Sequence, residues 1–210
     1  LLSPSDCESL SLKDLLALAD SDARERWENL SLGYTESPGL PALREEIVRQ
    51  YPGMPPEQAL VVAPEEGIFI ALQVLLQPSD HVIVLSPAYQ SLYEIARSNG
   101  CALTHWWIQP SNGRWTLDLD GLRAAITPRT RLLVINFPNN PTGFLPTQEE
   151  FQALIELARQ HGLYLFSDEM YRTLEYRPGQ RLPSACELYE KAVTLSGVSK
   201  ALSLPGLRIG

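Results

Sequence analysis

Six short apolar runs alternate with amphipathic stripes along this chain, and that alternation constrains its fold more than any other feature. The runs cover residues 60–62, 82–85, 102–108, 132–135, 163–166 and 192–195. They are rich in Val, Ile and Leu and bounded by turn residues, which predicts buried strands. The stripes between them have helical spacing. Ser11 can cap a helix carrying Leu12, Leu15, Leu16 and Ala19 on one face. Leu40, Leu43, Ile47 and Val48 make a second stripe, stopped by Pro52-Gly53. Ile68, Ala71, Leu72, Leu75 and Leu76 make a third, stopped by Pro78. Thr147 and Glu150 form a capping box ahead of Phe151, Leu154, Ile155 and Ala158. Strands alternating with helices predict a three-layer α/β/α fold around a mostly parallel sheet.

Such sheets bind ligands outside the carboxyl ends of their strands. Three runs end in polar or turn-forming residues: Ser86 to Tyr89, Asn136 to Gly143, and Ser167 to Tyr171. A fourth leads to Ser196-Gly197-Val198-Ser199-Lys200. One crevice can therefore collect Tyr89, Asn140, Asp168, Tyr171 and Lys200. A carboxylate at a strand end is partly desolvated and needs a cationic or hydrogen-bonding partner. A desolvated lysine can lose its proton and attack a carbonyl. Taken alone, Asp168 and Lys200 fit a simple ion pair closing the sheet end better than a catalytic pair.

The bulk properties narrow the classes of partner. A net charge of −8 over 210 residues argues against nonspecific binding to nucleic acid or to an anionic membrane surface. Cys7, Cys101 and Cys186, like His81, His105 and His161, are scattered without metal-ligand spacing. Free thiols, no metal and a reducing cytoplasm are the expectation. No apolar run reaches membrane-spanning length. Trp106, Trp107 and Trp115 read as packing around a strand and its following loop.

The ordered set is more specific than its members. The stretch Gly197-Val198-Ser199-Lys200-Ala201-Leu202-Ser203-Leu204-Pro205-Gly206-Leu207-Arg208-Ile209-Gly210 resembles the cofactor-lysine motif of the class I/II aminotransferases, which depend on pyridoxal 5′-phosphate (PLP) and have fold type I. An Asn-Pro-Thr-Gly turn (140–143) and an Asp-Glu-x-Tyr strand end (168–171) precede it in the family's order. Tyr34 and the segment from Gly39 to Arg44 match an earlier family segment.

The resemblance implies roles. Lys200 would form the internal aldimine with PLP and later move a proton; Asp168 would pair with the pyridine nitrogen. Asn140 and Tyr171 would hydrogen-bond the 3′-oxygen, and Tyr89 would stack on the ring. Ser199 and Arg208 would hold the phosphate, with backbone amides around Pro64 and Glu65. Tyr34 would reach the neighbouring site of a homodimer. The implied activity is amino-group transfer between an amino acid and a 2-oxo acid. Alternatives on the same fold are a C–S lyase, decarboxylase, cyclase or cyclopropane-forming synthase, and a noncatalytic PLP-binding regulator domain.

The pattern departs from the family in two places. Ala63-Pro64-Glu65 stands where Gly, Ser or Thr is common, and Pro64 has no N–H to donate. Glu65 is therefore expected to donate its amide and turn its side chain away. Gly197 stands where a phosphate-binding serine often does. The chain is expected to be the large domain (1–210), with 1–32 as a segment near the small domain or dimer interface. The rest of the N-terminal segment, the next sheet strand and the C-terminal small domain, with its carboxylate-binding arginine, are expected to be missing.

Overall fold

The computed structural model describes residue 5 and residues 7–210. In chain order it contains α1 (Leu12–Ala17), α2 (Ser21–Glu28), α3 (Pro41–Val48), α4 (Pro64–Leu75), β1 (His81–Ser86), α5 (Ser91–Ser98), β2 (Ala102–Trp107), β3 (Gln109–Ser111), β4 (Arg114–Thr116), α6 (Leu119–Ala125), β5 (Thr130–Asn136), α7 (Gln148–Gln160), β6 (Tyr164–Asp168), α8 (Ala185–Leu188) and β7 (Ala192–Leu195). Five strands form one sheet in the order β2-β1-β5-β6-β7, every neighbouring pair parallel. Strands β3 and β4 form a separate antiparallel hairpin.

Alternation along the strands divides the core into two layers, because successive side chains point to opposite faces. Ile83, Leu85, Leu133, Ile135 and Leu165 pack with residues of α6, α7 and α8. Val82, Val84, Leu132, Val134 and Phe166 pack with residues of α4 and α5. Both faces are covered, so β1 is buried along its whole length. This is the predicted three-layer architecture. No helix among the described residues is long and apolar enough to cross a membrane.

Local signals end the helices as their sequences require. Thr147 Oγ1 accepts from Glu150 N–H, and the Glu150 carboxylate accepts from Thr147 N–H. Ser11 caps α1 through Asp14 N–H. The 60–62 run differs from its prediction: it is not a strand. Val62 instead exchanges two backbone hydrogen bonds with Gly210, at 2.7 and 2.9 Å. The neighbouring Val61 N–H goes instead to the Pro38 carbonyl, at 2.8 Å, so no ladder forms along the run.

The scattered cysteines are free thiols. His81 is buried and bridges Thr130 and Thr104 across three strands, at 2.7 and 2.8 Å; burial holds its imidazole below its usual range. Trp106 is also a packing residue, buried with its indole N–H on the Asp118 carbonyl at 2.8 Å.

Candidate active site

The parity of β6 places its functional groups. Phe166 and Asp168 face the α4–α5 layer, whereas Leu165, Ser167 and Glu169 face the α7–α8 layer. Asp168 is buried at the carboxyl end of the strand. Burial pushes its carboxyl up to about 6. A hydrogen bond from Met170 N–H at 3.0 Å opposes that shift, and the charges of Glu169 and Glu65 add to it. None of the ion pairs among the described residues includes Asp168.

Asn136, the last residue of β5, ties two predicted site residues together. Its side-chain amide donates to the Asp168 carbonyl at 2.8 Å, and its side-chain oxygen accepts from Asn140 N–H at 2.7 Å. Asn139 makes the next link, donating to the Pro87 carbonyl at 3.2 Å, two residues before Tyr89. Its oxygen also accepts from Thr142, at 2.7 Å from the hydroxyl. The Asn-Pro-Thr-Gly turn is thus pinned to the ends of β5 and β6 and to the loop after β1. A cavity of about 720 Å³ opens beside it, lined by Asn140, Tyr171, Ser5, Trp115, Arg114 and Tyr176 among others.

Lys200 lies in the loop after β7, and its Nζ donates to the carbonyl of Ser5, a cavity-lining residue, at 2.9 Å. Ser199 is buried and its hydroxyl has no hydrogen-bond partner. Arg208 follows the turn Pro205–Leu207 with a left-handed φ of 57° and donates to the Pro205 carbonyl at 3.4 Å. Pro64 and Glu65 open α4. Pro64 lies against Gly210, and the Glu65 carboxylate accepts a hydrogen bond from the Ser91 hydroxyl. Glu66 takes the other capping role, accepting from Ala63 N–H at 3.3 Å.

Packing explains Gly197. A Cβ there would stand 2.9 Å from the Ile209 carbonyl oxygen and 3.2 Å from Met170 Cε. The chain folds back on itself at this point, with Val198 N–H on Ile209 O at 3.2 Å. A serine would require the backbone to move. Tyr89 is half-exposed, and Tyr34 is fully exposed.

A model of the family described as "Aminotransferase class I and II" matches residues 14–210. The chain belongs to this family. It is 37% identical over 183 residues to the aspartate/prephenate aminotransferase of Thermus thermophilus, a match covering 84% of this chain and 47% of that protein. A PLP-dependent aminotransferase from Streptococcus suis superposes with a TM-score of 0.86 at 37% identity, covering 96% of this chain and 54% of the other. The N-succinyldiaminopimelate aminotransferase of Mycobacterium tuberculosis superposes at 0.85 and 30% identity, covering 98% and 54%. The chain spans about half the length of these aminotransferases.

Two features of this chain are not legible in its sequence. Asn136 and Asn139 connect the site, yet each is an ordinary strand-end or turn asparagine until its partners are known. Trp115 differs from Trp106 in that it lines the large cavity together with Asn140 and Tyr171. The signal for Trp115 was the short Ser111-Asn112-Gly113-Arg114 turn, which marks a hairpin projecting from the sheet rather than a continuation of β2.

Proposed function

We propose that this chain is the cofactor-binding large domain of a PLP-dependent aminotransferase that moves an amino group between an amino acid and a 2-oxo acid. The observation that carries the reading is Asp168: a buried carboxylate with raised proton affinity, tied through Asn136 to the turn bearing Asn140. Burying such a group without a cationic partner is costly, and a protonated pyridine nitrogen would relieve that cost. The orphaned hydroxyl of buried Ser199 fits a phosphate oxygen in the same way.

When bound, PLP supplies the electron sink that makes the substrate's Cα–H acidic. The residues of this chain would hold and tune it. Lys200 would hold the cofactor, and its Nζ would carry the proton. Asp168 would keep the ring nitrogen protonated. Asn140 and Tyr171 would orient the ring through its 3′-oxygen, and Tyr89 would stack on it. Ser199, Arg208 and the amide of Glu65 would bind the phosphate, while the Glu65 carboxylate is engaged by Ser91. Pro64 contributes its fixed φ at the first turn of α4 rather than a donor.

Residues 1–32 belong on this reading to a segment near the small domain or dimer interface; residues 1–4 and 6 lie outside the described residues. Tyr34, fully exposed here, fits a residue that reaches the neighbouring subunit of a homodimer. Free thiols fit a cytoplasmic setting. The relatives named above differ in their substrates, so the amino donor is left open within the amino acids.

The test uses the protein at its full natural length. Borohydride reduction of the yellow holo form should fix the cofactor on the peptide containing Lys200, and the protein should transfer an amino group to a 2-oxo acid. Label on another residue, or no bound chromophore, overturns the cofactor reading. A bound chromophore with elimination or decarboxylation in place of transfer overturns the reaction class alone.

A further inference from the structure

Glu169 is buried, charged and unused by the chemistry above. Its side chain projects to the sheet face opposite Asp168. One oxygen, Oε1, accepts from Ser167 Oγ at 3.0 Å, Ser184 Oγ at 3.1 Å, Ala185 N–H at 2.9 Å and Thr194 Oγ1 at 3.4 Å. These donors come from β6, from the start of α8 and from β7. The backbone N–H of Glu169 adds a bond to the Leu195 carbonyl at 2.8 Å. The other oxygen, Oε2, lies 3.7 Å from Arg172 Nε, and neither atom has a hydrogen-bond partner.

The pattern assigns the ionised form. A proton on Oε2 would have no acceptor, while a carboxylate satisfies four donors through Oε1 and faces a guanidinium through Oε2. Burial pushes the Glu169 carboxyl up, and the hydrogen bonds from Ala185, Ser184 and Ser167 and the charge of Arg172 oppose that. Arg172 is itself held between Glu169 and Glu187, 3.7 Å from each, with its guanidinium over the Tyr51 ring.

We propose that Glu169 is a positioning residue for Asp168: clamped by donors from three elements, it fixes the strand end that carries Asp168 and sets a second negative charge directly behind it. The inference rests on the reading that Asp168 serves the cofactor's ring nitrogen. The clamp determines where the Asp168 carboxylate stands, because the two residues are adjacent and share the β6 end. The charge keeps Asp168 a willing partner for a cation. The other groups around this strand end are Glu65 on α4, Arg172, Glu187 on α8, Tyr51 and Cys186. Glu65 acts on Asp168 in the same sense as Glu169, and Arg172 acts on Glu169, favouring its ionised form.

Two substitutions in the full-length protein separate clamp from charge. Glu169→Gln keeps an oxygen for the four donors and removes the charge. Glu169→Ala removes both. Carboxyl ¹³C NMR of the cofactor-free protein should show the Asp168 midpoint falling from about 6 in Glu169→Gln. PLP affinity should fall roughly tenfold in Glu169→Ala, the scale of one lost charge-assisted contact. An unchanged Asp168 midpoint in a folded Glu169→Gln protein overturns the proposal, and that arm decides the matter if Glu169→Ala does not fold. A merely structural Glu169 would lower Tm and leave the midpoint in place. Asp168→Asn distinguishes the underlying reading: if that variant binds PLP like the parent, the role of Asp168 fails, whereas the midpoint in Glu169→Gln still judges the effect of the Glu169 charge on Asp168.

Discussion

Helices α2 and α7 both start from a side-chain N-cap and have opposite surroundings. Asp20 caps α2 through Ala23 N–H at 2.8 Å, and Thr147 caps α7 through Glu150 N–H at 3.2 Å. Helix α7 buries Phe151, Leu154, Ile155, Leu157 and Ala158 against the sheet, whereas α2 buries nothing. The same holds for α1 and α3. Leu12, Leu18, Trp27, Leu30 and Leu32 stand exposed along this first part of the chain. Caps and periodicity form a helix in either setting. Only packing converts it into stability, since isolated helices this short are marginal in water. The sheet with its covering helices therefore holds the buried core, and the α1–α3 segment presents apolar residues that no element among the described residues covers.

Function should divide along the same line. Lys200→Ala, at the carboxyl end of the sheet, should lower amino-transfer by at least about 10²–10⁴-fold in the full-length protein, the range for removing a proton-transferring group. Leu18→Ala, in the exposed segment, should leave the chemical step intact. Steady-state rates with saturating PLP check both. An active Lys200→Ala protein would place the chemistry elsewhere.

Stability gives the next contrast. Leu154 is fully buried, and Leu154→Ala should cost about 2–5 kcal/mol by leaving a cavity in a close-packed core. Leu18→Ala should stay within about 0.5 kcal/mol if the residue is solvated. Urea unfolding of both variants measures the difference. A large cost for Leu18→Ala in the full-length protein would mean that this face is covered there, and would support the proposed interface.

Asp168 makes the active region unstable by design. Its folded-state carboxyl is raised from 3.8 to about 6, so between those values the folded protein holds more protons than the unfolded chain. Stability of the cofactor-free protein therefore falls as pH rises through that window. The full effect is on the order of 3 kcal/mol. Asp168→Asn removes the penalty: the cofactor-free variant should be more stable than the parent at pH 7, no more stable at pH 3.5, and weaker in binding PLP. Denaturant midpoints at the two pH values test the sign. Equal midpoints at pH 7 would mean that Asp168 is solvated.

The alternation of apolar runs and stripes revealed the layers because burial on both faces requires such runs. Five of the six runs became strands; the run at 60–62 did not, since strand identity depends on a pairing partner that periodicity does not encode. The site was legible at strand ends, where the topology forces polar residues together, and Asp168, Asn140 and Tyr171 stand there. The links between them were not legible. Nothing in Asn136 or Asn139 marks their contacts with Asp168 and Pro87, which join residues 32 and 52 positions apart. Gly197 was read for the group it lacks, whereas its smallness admits the Ile209 carbonyl. Such contacts come from the three-dimensional return of the chain.

The smallest expected effect tests the caps themselves. Thr147→Ala removes a reciprocal capping box and should cost about 1 kcal/mol of global stability, because α7 unfolds only with the core. Asp20→Ala removes a single cap hydrogen bond from a helix that buries nothing. Its cost should appear as local fraying: amide exchange in residues 21–28 should accelerate while the denaturant midpoint stays put. If Asp20→Ala lowers the midpoint as much as Thr147→Ala does, α2 unfolds with the core. Its apolar side chains must then be packed against a surface supplied from outside these residues, as a subunit interface would require.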